Sequence, residues 1–314
     1  MDAEKVYPSG QGALVSGLPS NRIAEDYPSC EGPTFVNEIL TQSLPLAIAV
    51  FVTTAMFSVG LDLTIGQIVE PLRNKRLIAV SLVANVILVP LAALGLAGVI
   101  PMDGALRTGF LLYAFTAGTE AGPKLVQLAK GNAAFAVGLL ATLIVTTIVF
   151  VPMAVSLVVP DAHVERGKVL LKLLLVVALP MGIGLYLKAR HDALAARLSL
   201  VMHRVSTTLL FLVFAQLIYV NYDEILAVQP SALLAGLLLF ALAFAVGYAL
   251  GGPERANRRA LAIMTFVRAG SIAMMIAGQV FAHEPRVLVM ATVMTSLSVV
   301  LGVLAVVWFR RSAA

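Results

Sequence analysis

The feature that most constrains this chain is a series of nine apolar segments, separated by short polar stretches. A bilayer core about 30 Å thick is crossed by roughly 20 apolar residues in a helix. We therefore predict an all-α polytopic membrane protein with nine transmembrane helices. The predicted spans are about 41–61, 77–99, 105–130, 133–159, 169–187, 207–226, 231–250, 260–281 and 287–309.

Composition agrees with lipid as the main solvent of this chain. Apolar residues make up 60% of the 314 residues and charged residues only 12%, whereas soluble domains carry about 25% charged residues. The net charge of +5 is attributed to loops that orient the helices, so nucleic acid is not expected as a partner. The single cysteine, Cys30, excludes an internal disulfide and a cysteine metal cluster.

The loop charges predict the orientation. Of the 22 Lys and Arg residues, 13 lie in one set of loops, including the last residues, and seven lie on the opposite side with the N-terminal tail. The positive-inside rule then predicts a cytoplasmic tail at 310–314, and we expect the protein in the plasma (inner) membrane. Residues 1–40 lack the basic and apolar regions of a signal peptide, so we expect a retained, irregular extracytoplasmic tail.

After the charges of the loops and span ends are assigned to one side or the other, three charged residues remain inside the predicted spans: Glu120, Lys124 and Arg268. Charged residues within a bilayer are costly, so each is a hypothesis for a functional site. Three roles stay open. Glu120 could form a structural ion pair with Arg268 or Lys124, Glu120 could exchange a proton during transport, or Arg268 or Lys124 could bind an anionic substrate. Lys124 could also extend its amine toward the cytoplasmic side.

These charges coincide with two interruptions of the helical pattern. The third span contains Ala-Gly-Thr-Glu-Ala-Gly-Pro-Lys at 117–124, and the eighth contains Thr-Phe-Val-Arg-Ala-Gly-Ser at 265–271. We expect Pro123 to open a second half-helix and Ser271 to cap another. Each break is the third span of a four-span set, which predicts inverted repeats with a binding site at breaks 119–124 and 266–271.

Two segments resemble a known family. Met-Phe-Ser-Val-Gly-Leu-Asp-Leu at 56–63 and Leu-Val-Gln-Leu-Ala-Lys-Gly-Asn at 125–132 are similar to segments of the bile acid:sodium symporters. The resemblance implies a transporter domain over 41–309 with two parts. Panel helices would lie at about 41–61, 169–187 and 207–226, and core helices at about 77–159 and 231–309.

The same resemblance shows departures at the family's sodium ligands. Gly122 and Pro123 stand at a Ser-Asn pair, and Met264, Arg268, Ala269 and Gly270 stand at a Glu-x-x-x-Gln-Asn-Ser segment. Other ligand positions fall on Ala136, Leu140 and Asn85. We therefore do not expect sodium coupling at these sites, and a proton stays open as the coupling ion. The full set of candidate substrate or coupling residues is Asn85, Thr119, Glu120, Gly122, Pro123, Lys124, Met264, Arg268, Ala269, Gly270 and Ser271.

The resemblance thus implies secondary active transport of a small organic anion by alternating access. A non-transporting membrane sensor or partner-binding protein on the same fold is kept as an alternative, and a locked pair of Glu120 and Arg268 would favour it. An enzyme is not expected, because no nucleophile with an adjacent base lies within the spans. His163, His191, His203 and His283 are predicted in loops without the spacing of metal ligands.

Overall fold

The computed structural model describes residues 34–311, apart from residue 73 and residues 159–165. Tail residues 1–33, His163 and residues 312–314 lie outside the described part. Regular structure in the described ranges is helical throughout and includes two π-helical turns, Val83–Leu88 and Leu174–Ala178. The helices are α1 (Thr34–Asp62), α2 (Ile65–Leu72), α3 (Lys75–Leu82), α4 (Val89–Val99), α5 (Gly104–Phe115), α6 (Gly122–Leu128), α7 (Ala133–Val158), α8 (Arg166–Leu173), α9 (Leu179–Arg190), α10 (Asp192–Val220), α11 (Tyr222–Leu226), α12 (Pro230–Leu250), α13 (Arg255–Phe266), α14 (Gly270–Val280) and α15 (Pro285–Arg311).

The expected polytopic, all-helical architecture is confirmed. Eight helical segments in the described residues are long and apolar enough to cross a membrane. The segment predicted at 105–130 is absent from these eight because it is divided into α5 and α6, which have 12 and 7 residues. Taken together, α5 and α6 supply the remaining apolar segment of crossing length.

Two predicted boundaries are wrong. Helix α1 begins at Thr34, so residues 34–40 are helical instead of belonging to an irregular tail. The sixth span is α10, Asp192–Val220, and not 207–226. Arg197 and Arg204 lower the apolar character of its first half, yet long basic side chains near a helix end can reach the polar interface. His203 consequently lies in a helix and not in a loop.

Helices α1, α9 and α10 pack together as one group, here called the panel. A Cβ added to Gly184 of α9 would lie 2.6 Å from the carbonyl oxygen of Phe57 in α1, so glycine permits this close approach. Gln216 of α10 donates a hydrogen bond to the carbonyl of Leu40 at 2.8 Å. Near the other end of α1, Ser199 donates to the carboxylate of Asp62.

The second group, here called the core, comprises α3–α7 and α12–α15 and surrounds the second interrupted helix. Every residue from 260 to 278 is buried. Small residues again allow close packing, since a Cβ on Gly247 of α12 would lie 2.7 Å from the carbonyl oxygen of Leu261. Gly109 of α5 likewise lies against the backbone carbonyl of Val287 in α15.

The panel and the neighbouring helix α8 touch the core at specific places. A Cβ at Gly278 of α14 would lie 3.4 Å from the Cδ1 atom of Ile48 in α1. Lys172 of α8 donates to the carbonyl of Gln279 at 3.3 Å. Helix α11, which follows the panel helix α10, is joined to the core because Glu224 accepts a bond from Arg286 at 2.7 Å.

Candidate functional site

The two interrupted helices meet inside the core. Helix α5 packs against α14, and α6 packs against α13, so each half-helix contacts the opposite half of the other pair. The chain is non-helical at residues 116–121 and again at 267–269. Both predicted breaks are present, although the first begins three residues earlier than the predicted 119–124. The six-residue and three-residue breaks place backbone amides and carbonyls in the interior, where lipid could not satisfy them.

A threonine of α7 satisfies the backbone of the first break. The Thr147 hydroxyl donates to the carbonyl of Ala117 at 2.9 Å and accepts from the amide of Ala117 at 3.0 Å. Gly118 follows with a φ of 85°, a conformation that side-chain-bearing residues rarely adopt. Thr147 was not predicted as a site residue, because a threonine in an apolar helix carries no signal of its distant partner.

Arg268 is the central side chain of the second break. It is 2% exposed, and its guanidinium binds neutral oxygen atoms. Nε donates to the carbonyl of Thr116 at 2.9 Å, and Nη2 donates to the carbonyl of Asn85 at 3.0 Å. Nη1 lies 3.3 Å from the carbonyl of Thr265 and 3.4 Å from the Asn85 side-chain oxygen. The arginine therefore joins both breaks to the second span.

The carbonyls around Arg268 lack their usual helical donors. The amide of Val89 donates to Ala84 across the π-helical turn, and residue 90 is a proline without an N–H, so Asn85 has no donor from its own helix. Thr265 is the next-to-last residue of α13, and Thr116 directly follows α5. Helix ends leave carbonyls unpaired and carry a partial negative charge. The guanidinium supplies both the missing donors and a compensating positive charge.

Two polar side chains complete the surroundings of Arg268. The Asn85 amide donates to the carbonyl of Ser81 at 2.9 Å and to the Thr265 hydroxyl at 3.3 Å. The backbone amide of Arg268 donates to the Tyr113 hydroxyl at 3.4 Å. Asn85 was predicted as a candidate, whereas Tyr113 was missed because it resembles an ordinary core aromatic. All buried polar side-chain atoms of the described residues have partners.

Glu120 lies at the end of the first break and contacts the start of α14. Its Oε2 atom accepts a hydrogen bond from the Ser271 hydroxyl at 3.3 Å. This bond replaces the predicted role of Ser271 as a helix cap, since α14 begins after Ala269 without a side-chain cap. Pro123 lies in the first turn of α6, as predicted. Glu120 itself is partly exposed.

The expected ion pair of Glu120 with Arg268 or Lys124 is absent from the described residues. Arg268 is directed toward the carbonyls at the ends of α5 and α13, whereas Glu120 accepts a bond from Ser271. Lys124 is exposed on α6, four positions after Glu120. Among the three intramembrane charges, only Arg268 is therefore fully enclosed by protein.

The other candidate residues at the two breaks are buried and serve in close packing. A Cβ on Gly122 would collide with the sulfur of Met264, so these two residues lie in direct contact. A Cβ on Gly270 would collide with the Thr295 side chain of α15. Thr119 and Ala269 are buried beside these contacts. The positions at which the sequence departs from the family's sodium ligands are therefore filled by close contacts among methionine, glycine and threonine residues.

Metal-ligand chemistry has no support in the described residues. No group of three or more His, Cys, Asp or Glu side chains there could hold a metal ion. His203 lies in the panel, where its Nδ1 is 3.5 Å from the Ser58 hydroxyl. His191 and His283 lie outside helices.

Crossing half-helices inside a bundle of apolar helices define a multi-pass membrane protein of the transporter-like class. Residues 48–196 match the profile of the Sodium Bile acid symporter family. The chain is 25% identical to probable sodium/metabolite cotransporter BASS3, chloroplastic, of Arabidopsis thaliana, over 71% of this chain and 54% of that relative. It is 24% identical to uncharacterized sodium-dependent transporter YocS of Bacillus subtilis, over 65% of this chain and 63% of that relative.

A rice relative, probable sodium/metabolite cotransporter BASS2, chloroplastic, is 23% identical over 82% of this chain and 62% of its own length. The profile match and these relatives support membership of the sodium bile acid symporter family. It matches about half to two thirds of the length of these relatives. The profile match covers the first break and ends before the second, which contains Arg268.

Proposed function

We propose that this protein is a secondary active transporter that moves a small organic anion by alternating access of the panel against the core. The observation that carries the proposal is the meeting of two broken helices at partly exposed Glu120 and exposed Lys124. Charged side chains within a spanning segment are expected to face water or protein, not lipid. The named relatives are described as sodium/metabolite cotransporters or as a sodium-dependent transporter, which agrees with transport.

We propose further that transport is not coupled to sodium at these breaks. A hard cation requires several oxygen ligands. Here the carbonyls of Thr116, Asn85 and Thr265 are occupied by the Arg268 guanidinium. The Met264 sulfur, which is a poor ligand for a hard cation, lies against Gly122. The residues present do not fit a sodium ion, and Arg268 serves as a permanent cation in its place.

Without sodium coupling, a different gradient must drive transport. The substrate gradient can drive exchange or uniport without an ion. A proton carried by Glu120 is the other alternative, because this carboxylate is the acidic group at the crossing. Uptake measured separately under sodium, potassium and proton gradients distinguishes these modes.

A locked pair of Glu120 and Arg268 would have favoured the sensor alternative. The described residues lack that pair, and each charge has separate partners. We propose a transporter over a sensor because the named relatives are described as transporters. For location, we propose the plasma (inner) membrane, with the tail outside and the basic loops in the cytoplasm, on the strength of the loop charges.

Cross-linking the panel to the core tests alternating access directly. Ile48 and Gly278 are adjacent across the two groups. In a Cys30→Ser background, Ile48→Cys and Gly278→Cys joined directly as a disulfide by an oxidising reagent should abolish substrate counterflow in proteoliposomes. Each single cysteine variant treated with the same reagent should retain counterflow. Full counterflow in the cross-linked pair would contradict movement of the panel relative to the core.

A further inference from the structure

Two arginines and three aromatic rings meet where α12 ends, α13 begins and α15 ends. The guanidinium carbon of Arg258 lies 5.8 Å from the centre of the Tyr248 ring, and that of Arg259 lies 5.5 Å from the centre of the Phe309 ring. The Tyr248 and Phe309 rings are stacked with their centres 6.1 Å apart. The Trp308 ring lies 4.9 Å from Phe309. These five residues are here called the arginine–aromatic cluster.

Backbone contacts hold both guanidinium groups in place. Arg258 Nε donates to the carbonyl of Gly252 at 2.6 Å. Arg259 Nη1 donates to the carbonyl of Ala129 at 3.3 Å. Gly252 has a φ of 79°, and a Cβ on Gly251 would lie 2.4 Å from the Cα atom of Arg258, so glycine lets this loop approach α13. An arginine held by a ring face and a carbonyl loses less conformational freedom when it binds an anion.

The positive charge of the cluster is not balanced within the described residues. No described Asp or Glu lies within ion-pair distance of Arg258 or Arg259. Glu254, the nearest acid along the chain, accepts a hydrogen bond from the Asn257 amide at 2.9 Å. A guanidinium carries five N–H donors, and each of these two arginines uses one of them on a described carbonyl. Both side chains are partly exposed, so their other donors are available to an anion.

The adjoining face of α15 indicates which anion meets the cluster. Leu304, Val307, Trp308 and Arg311 have the spacing of one helix face, and all four are exposed. This face is apolar along the membrane span and ends in a tryptophan and an arginine. Tryptophan is enriched at the boundary between acyl chains and headgroups, and basic clusters at the ends of spanning helices bind anionic headgroups. A phospholipid is the anion that fits both the charged cluster and the apolar face.

We propose that the arginine–aromatic cluster binds the phosphate headgroup of an anionic phospholipid, with the acyl chains along the exposed face of α15. Arg258 and Arg259 donate to the phosphate, whose oxygens match the planar fork of a guanidinium. The site lies at the opposite end of α13 from the break at 267–269. The inference therefore goes beyond the proposed transport function and does not depend on it.

Fluorescence quenching tests the proposal, because Trp308 is the single tryptophan of the chain and reports lipid beside the cluster. The protein is reconstituted in phosphatidylcholine with a rising fraction of phosphatidylglycerol whose brominated acyl chains quench tryptophan on contact. The reciprocal series contains brominated phosphatidylcholine in phosphatidylglycerol. We expect phosphatidylglycerol to bind about tenfold or more tightly than phosphatidylcholine, because each basic residue near the surface contributes about fivefold.

Two double variants locate the source of this preference. Arg258→Gln with Arg259→Gln should bring the ratio of the two binding constants toward one, because the donors to the phosphate are lost. Arg190→Gln with Arg197→Gln removes the same charge from exposed positions of α9 and α10, and should keep the wild-type ratio. Excess inorganic phosphate should lower the ratio no more than chloride at equal ionic strength, because the site holds headgroup and acyl chain together.

A ratio near one in the wild type would overturn the proposal. The same conclusion follows if Arg258→Gln with Arg259→Gln keeps the wild-type ratio, or if both double variants lose it equally. Displacement by inorganic phosphate beyond the chloride effect would show a site for a free anion and not for a lipid. If the glutamine pair fails to fold, as judged by its melting temperature, Arg258→Lys with Arg259→Lys keeps the charge without the planar fork. Its ratio should be intermediate, and an unchanged ratio would reject the role of the guanidinium groups.

Discussion

Arg268 unites the first break, the second break and the π-helical turn of the second span through a single buried side chain. Replacing it by Met would leave the carbonyls of Thr116, Asn85 and Thr265 without donors. Each unsatisfied buried polar group costs about 1–3 kcal/mol. We therefore expect Arg268→Met to lower the melting temperature in detergent markedly and to abolish uptake. Arg268→Lys should be intermediate, because an ammonium keeps the charge but lacks the planar fork of donors.

The matched control for this prediction is Arg255, an exposed arginine at the start of α13. Arg255→Met should leave the melting temperature nearly unchanged, since surface substitutions usually change stability by less than about 0.5 kcal/mol. Equal melting temperatures for Arg268→Met and the wild type would show that the guanidinium does not hold the breaks together.

For individual residues, the sequence showed which charged side chains lie inside the spans but not which groups they contact. Glu120, Lys124 and Arg268 were identified because charge inside an apolar span is costly. The partners of Arg268 were not predictable, since they are mainly backbone carbonyls released by Pro90 and by two helix ends. Side-chain patterns do not encode such acceptors, so the sequence alone could not choose between a pairing with Glu120 and the other roles left open for Arg268.

At the scale of the helical element, the half-helix α14 depends on close contact with α15. A methyl group at Gly270 would collide with the Thr295 side chain, and overpacking of this kind typically costs about 1–3 kcal/mol. We expect Gly270→Ala to lower the melting temperature and the uptake rate. Gly98→Ala, in α4, is the matched control because a Cβ there meets nothing within 4 Å. Equal stability of the two variants would contradict the proposed packing.

Helix boundaries show which parts of an element the sequence can predict. Both breaks were predicted because Gly and Pro adjoin charged residues inside apolar spans. The start of α10 was missed, since Arg197, His203 and Arg204 resemble a loop when hydropathy alone is considered. The π-helical turns were also missed. Each is followed by a proline, Pro90 or Pro180, and a widened turn is one way to accommodate the missing N–H and the ring.

At the scale of the whole molecule, the proposed orientation places the two ends of the chain on opposite sides of the membrane. Cys30 is the single native cysteine, so it serves as a probe of the tail. A membrane-impermeant maleimide should label Cys30 on intact cells. In a Cys30→Ser background, Arg311→Cys should be labelled only after permeabilisation. Labelling of both positions from the same side would contradict an odd number of crossings.

We propose that a protein cation, Arg268, stands where a coupling ion would otherwise be required. The most direct measurement follows ²²Na⁺ and a labelled transported solute together in the same proteoliposomes. We predict solute uptake without accompanying ²²Na⁺ entry, at a rate unchanged when sodium is replaced by N-methylglucamine. Entry of ²²Na⁺ in fixed ratio to the solute, with loss of uptake when sodium is removed, would show that sodium is the coupling ion and that Arg268 does not replace it.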